Sequence, residues 1–91
     1  MVRKGMRRVE FGLDRLREGE GCVVTAVELP PARAAALLRL GLCPGAELRC
    51  LRRSPLGDPT AYRFGGVTAA LRRADARRIR VRPLRAEGEA V

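Results

Sequence analysis

The chain contains no histidine and no tryptophan, and its only aromatic residues are Phe11, Tyr62 and Phe64. Without histidine, both the usual general base and the usual nitrogen ligand for a metal are missing. Asp14, Asp58, Asp75 and the scattered glutamates form no pair at a spacing that would bring two carboxylates together, so no catalytic residue is assigned. The three cysteines, Cys22, Cys43 and Cys50, show neither CxxC spacing nor a neighbouring carboxylate cluster, which leaves no metal site and no cofactor to assign. They are also too few for a disulfide framework, and a reducing cytosol is the simpler setting. Cys22 and Cys50 lie in strand-like stretches as small buried hydrophobes, and Cys43, beside a turn, is the most exposed thiol.

No apolar run approaches the roughly 20 residues that cross a bilayer. The richest stretch, Ala34 to Leu38, is bounded by Arg33 and Arg39. Arg3, Lys4, Arg7 and Arg8 precede no apolar segment, so a signal peptide is not supported and the protein is expected in the cytoplasm, not embedded in a membrane. Gly19-Glu20-Gly21 and Gly65-Gly66 lack the Lys-Ser/Thr and helix of a phosphate loop and read as turns.

What the chain does have is positive charge, +9 formally, almost all of it arginine. Such a field attracts phosphate backbones, anionic lipid or any acidic partner. Arg72, Arg73, Arg77, Arg78, Arg80 and Arg82 make its densest patch. A single-stranded nucleic-acid site would interleave aromatics for base stacking, whereas Tyr62 and Phe64 alternate in a way that suits a core, so no specific nucleic acid is expected.

At 91 residues the chain is one domain, and a unit of this size hides only about 60–65% of the surface its unfolded form exposes. Periodicity divides it into a basic, loose leader over residues 1–12, a folded unit over 13–83 and a polar tail over 84–91. Cys22 to Val27 reads as a strand stopped by Pro30-Pro31. A helix over Pro31 to Leu40 follows, with Ala34, Leu37 and Leu40 towards the core, Leu38 at the margin of that stripe, and Gly41 placed to end it in the left-handed conformation. Pro44-Gly45 is a turn, after which Leu48 and Cys50 alternate against Glu47 and Arg49, with Leu51 out of pattern. Ser54 to Pro59 is a loop, Thr60 to Phe64 and Val67 to Leu71 are strands joined at Gly65-Gly66, and Ile79 to Val81 closes the series. The expected fold is all-β with one short helix, a small barrel of about five strands, with Val24, Leu37, Leu40, Leu48, Leu71, Ile79 and Val81 in one core.

The string Leu37-Leu38-Arg39-Leu40-Gly41-Leu42-Cys43-Pro44-Gly45, then Ser54-Pro55-Leu56-Gly57-Asp58-Pro59, then Leu71-Arg72, Ala76 and Ile79-Arg80-Val81, resembles the FeoA family, ferrous iron transport protein A. The resemblance implies an SH3-like barrel and an accessory role beside FeoB, the membrane ferrous-iron transporter with a GTP-binding domain. The protein would then be held at the inner face of the membrane through that partner. It marks Gly41, Pro44, Gly45 and Gly57 as structural positions. The same fold occurs in iron-dependent repressors, whose DNA-binding half has no counterpart in these residues, and this favours the transport accessory. The alternative is a small basic SH3-like nucleic-acid-binding protein or a stand-alone repressor-type domain.

The expected partner surface combines Leu38 with Pro55, Leu56 and Asp58, apolar anchors ringed by Arg39, Arg52 and Arg53. Asp58 is expected to accept N–H groups within its own turn. A monomer is the favoured state.

Overall fold

Leu13, Leu16, Val24, Leu42, Leu48, Tyr62, Phe64, Ile79 and Val81 are almost wholly removed from solvent and belong to one cluster. They arrive from nearly every element of the chain, and the fold is the device that gathers them. The computed structural model describes residues 9–84. Its elements are β1 (Phe11–Gly12), a 3-10 turn (Leu13–Arg15), β2 (Gly21–Val27), α1 (Pro31–Leu40), β3 (Glu47–Arg53), β4 (Thr60–Phe64), β5 (Val67–Leu71), α2 (Arg73–Ala76) and β6 (Ile79–Pro83).

The strands form one antiparallel sheet in the order β1-β6-β2-β3-β4-β5. Inward-facing residues of β2, β3, β4, β5 and β6 share a single core, so the sheet curls around it. Two bulges serve that curvature, because an extra residue sharpens the local twist. Thr25 is the extra residue of β2 against β6, and Leu51 that of β3 against β4. The bulge explains why Leu51 falls out of the alternation: Cys50 faces Tyr62 and Arg52 faces Ala61, leaving Leu51 unpaired and partly exposed.

Three expectations need correction. The folded unit begins earlier than Leu13, since Phe11 and Gly12 pair with Val81 and Arg80 as a sixth strand too short to show a period. Residues 1–8 of the leader expected over 1–12, and 85–91 of the tail expected over 84–91, lie outside the described residues, while Leu84 donates its N–H to the Gly21 carbonyl at 3.2 Å and joins the fold. Leu40 is not in the core; it is 45% exposed.

The reason lies in how α1 ends. Gly41 takes φ 103°, its N–H reaches the Leu38 carbonyl at 2.9 Å, and the Leu42 N–H reaches that of Leu37 at 2.9 Å. This is a Schellman motif, which needs a residue free of a Cβ at Gly41. It turns the chain so that Leu42 drops into the core where the helical stripe alone would have placed Leu40. The helix itself fully buries no residue and packs against the core through Leu37, so it rides on the surface of the sheet.

Candidate partner-binding surface

The loop between β3 and β4 is closed by backbone hydrogen bonds at its tip and at its base. Ser54-Pro55-Leu56-Gly57 is a turn closed by the Gly57 N–H on the Ser54 carbonyl at 2.8 Å. Proline fits its second position, Leu56 at the third has no positive φ, and Gly57 takes φ 88°, which glycine alone adopts at little cost. The Ser54 N–H reaches back to the Pro59 carbonyl at 3.1 Å, and the Asp58–Pro59 peptide is cis. Pro55 is exposed and Leu56 is 93% exposed at the tip.

Asp58 does not serve its own turn. Its carboxylate accepts the backbone N–H of Arg73 at 2.8 Å, at the first residue of α2. That N–H has no partner within the helix, so a carboxylate is the fitting acceptor. On the other side, Arg33 of α1 pairs with Asp75 of α2. The short helix α2 is therefore tied both to the loop that carries Leu56 and to the helix that carries Leu38.

Leu38 is 56% exposed and stands beside a shallow groove lined by Val27, Ala34, Ala35, Leu42, Cys43 and Pro44, none of them from the 54–59 loop. Leu40, which helical periodicity assigns to the core, is exposed as well, but two residues on from Leu38 it faces another side of α1 and does not line this groove. Pro44 and Gly45 hold the far side, with the Gly45 N–H on the Val24 carbonyl at 2.8 Å.

Of the three arginines expected to ring this surface, Arg39 and Arg52 are exposed and Arg53 is not free. Its guanidinium donates to the Leu16 carbonyl at 2.6 Å and the Asp14 carbonyl at 3.4 Å, and its backbone N–H donates to Glu18 Oε2 at 2.8 Å. Arg53 clamps the 3-10 turn to the sheet. Nothing in the sequence marks those carbonyls, which lie far upstream. In the dense basic run, Arg72, Arg73, Arg77, Arg78 and Arg82 are exposed, and Arg80 reaches the Glu10 carbonyl at 3.4 Å. Tyr62 and Phe64 are buried and cannot stack on a base.

Among the described residues no three of Cys, Asp and Glu come together in a way that could hold a metal. Cys22 and Cys50 are fully buried, and burial pushes the Cys22 thiol up to about 12 and raises that of Cys50. A thiol so disposed stays protonated and is neither a ready nucleophile nor a ready ligand. Burial likewise pushes Tyr62 up to about 12, with its hydroxyl donating to the Leu13 carbonyl at 3.4 Å. No described helix is long and apolar enough to cross a membrane.

Comparison with known proteins adds to this geometry. A family model described as the FeoA domain matches residues 11–83. The solution structure of the FeoA protein from Chlorobium tepidum is 40% identical over 80% of this chain and 70% of its own, with a TM-score of 0.78. FeoA of Stenotrophomonas maltophilia, crystallised with zinc and described as a prokaryotic SH3 domain protein, is 31% identical over 77% of this chain and 87% of its own, with a TM-score of 0.67. A manganese-dependent transcriptional repressor superposes with a TM-score of 0.73 at 21% identity, covering 82% of this chain and 42% of its own. That last likeness is one of fold alone.

Proposed function

Since this chain belongs to the FeoA family, whose members are small SH3-like proteins associated with ferrous-iron transport, we propose that it acts by docking on a FeoB-like membrane transporter. Its place would be the cytoplasmic face of the membrane, reached through that partner, and its role accessory and non-catalytic. The S. maltophilia relative is described as a candidate activating factor of bacterial ferrous-iron transport, which fits such a role.

The observation that carries the reading is Leu56. A leucine 93% exposed at the tip of a closed turn, whose base is fastened to α2 through Asp58, is an apolar anchor held in place before it binds. Little conformational entropy is lost when such an anchor docks. Leu38 and Leu40 supply further apolar surface, and the exposed arginines would draw in a more acidic partner, with charge raising the encounter rate and the leucines slowing dissociation.

Co-purification of the full chain with the cytosolic part of a FeoB-like transporter tests the proposal. Association that survives about 0.15 M salt is expected, because the apolar anchors are not screened. A chain that fails to associate even at low salt would end the transporter reading.

A further inference from the structure

We propose that the free edge of β5 is a docking site for an extended acidic protein segment, which adds to the sheet as a seventh strand. The inference goes beyond the transporter reading and does not rest on it.

The sheet has two ends. At one, β1 is two residues long and offers little to pair with. At the other, β5 runs five residues, Val67-Thr68-Ala69-Ala70-Leu71, and its only hydrogen-bonded neighbour among the described residues is β4. Edge strands are commonly shielded by charge, proline, a bulge or a covering element. β5 has no charge and no proline, and its register with β4 is unbroken from Phe64↔Val67 to Thr60↔Leu71.

Hairpin geometry identifies the groups on offer. β4 and β5 are joined by Gly65 and Gly66, with φ 61° at Gly65, and a two-residue hairpin closes on a hydrogen-bonded pair, here Phe64 and Val67. Bonded and non-bonded pairs alternate along an antiparallel ladder, so Arg63↔Thr68 and Ala61↔Ala70 are non-bonded pairs. The N–H and C=O groups of Thr68 and Ala70 therefore point away from β4, to the open side. With side chains no larger than threonine at both positions, an incoming backbone has a clear approach.

Charge selects the occupant. Arg63 is exposed across from Thr68, and Arg72 and Arg73 are exposed immediately beyond Leu71. Two carboxylates lie by this rim, Asp58 on the Arg73 N–H and Glu47 beside Arg63, while Asp75 pairs with Arg33. Arg63, Arg72 and Arg73 still leave the rim with a surplus of positive charge that favours an added strand with acidic flanks, whereas a second copy of this chain would bring another +9 against it. Main-chain bonds would supply affinity and the arginines preference, as in other cases of strand addition.

The test titrates the full chain against a short labelled peptide of alternating valine and threonine flanked by glutamates, read by fluorescence anisotropy. Binding is expected, weakened about tenfold by Ala70→Pro, which removes one outward N–H without touching the β4 ladder. Arg72→Glu should weaken it several-fold. Should Ala70→Pro fail to fold, a peptide N-methylated on its bonding edge, with charge unchanged, decides and should not bind. Equal binding of the N-methylated peptide would mean charge alone is at work, and the proposal falls. It falls equally if the chain dimerises through this edge, shown by a dimer that Ala70→Pro dissolves and the peptide does not compete with.

Discussion

The carboxylate of Asp58 accepts the backbone N–H of Arg73 at 2.8 Å, across fifteen positions of sequence, and so joins the loop after β3 to the helix before β6. Asp58→Ala should lower stability by about 1 kcal/mol, the scale of a lost charge-assisted cap at a solvent-exposed site. Asp58→Asn keeps an acceptor and should recover roughly half of that. Thermal unfolding of the two variants beside the parent is the check. Equal stability of all three would show that the bond does not hold in solution.

Leu48 and Leu40 make a paired test of where the core lies. Leu48 is buried, and Leu48→Ala should cost about 2–5 kcal/mol, a large share of what so small a domain has. Leu40→Ala should cost well under about 1 kcal/mol because its side chain stands half in water. Urea midpoints measure both, and a large loss for Leu40→Ala would place the helix closer to the core than the structure does.

Alkaline pH should destabilise the fold before it alters the arginines. Cys22 and Tyr62 keep their protons up to about 12 when folded, through burial, whereas the unfolded chain loses them near 9 and 10. Between those values the unfolded state binds fewer protons than the native state, so stability is level below about pH 9 and falls as pH rises towards 12. The loss should be on the order of a few kcal/mol, visible as a falling urea midpoint from pH 8 to 11, with a shallower fall in Cys22→Ala. Below pH 9 a thiol reagent should label the partly exposed Cys43 ahead of Cys22 and Cys50. A midpoint that stays flat to pH 11 would contradict this packing of the two groups.

Much of the fold was legible because it rests on local rules. Proline at the start and glycine at the end bracket α1 at Pro31 and Leu40, and alternation locates β3, β4 and β5. What escaped depends on partners distant in sequence. Leu42, not Leu40, is the core anchor because a turn after the helix redirects the chain. Leu51 breaks the alternation because it is the extra residue of a bulge, visible only once β4 is set against β3. Phe11 and Gly12 are too short a run to carry a period. In the candidate surface, the exposure of Leu56 follows from a turn with proline and glycine at fitting positions, but the bond from Arg73 to Asp58 and the use of Arg53 as an internal clamp join segments that no spacing rule connects. The free edge of β5 likewise emerges only from the strand order.

The central claim is that exposed leucines on α1 and on the β3–β4 loop form the surface that meets the transporter. Binding of the full chain to the cytosolic part of a FeoB-like protein, measured for Leu38→Ala, Leu56→Ala and the double variant with each melting temperature taken alongside, addresses it most directly. Leu56→Ala should leave the melting temperature unchanged, since its side chain touches water on almost every side, and should weaken binding about tenfold, as loss of an apolar anchor does. Leu38→Ala should act in the same direction, and the double variant should bind least. Folded variants that all bind as tightly as the parent would contradict the account and move the interface away from these leucines.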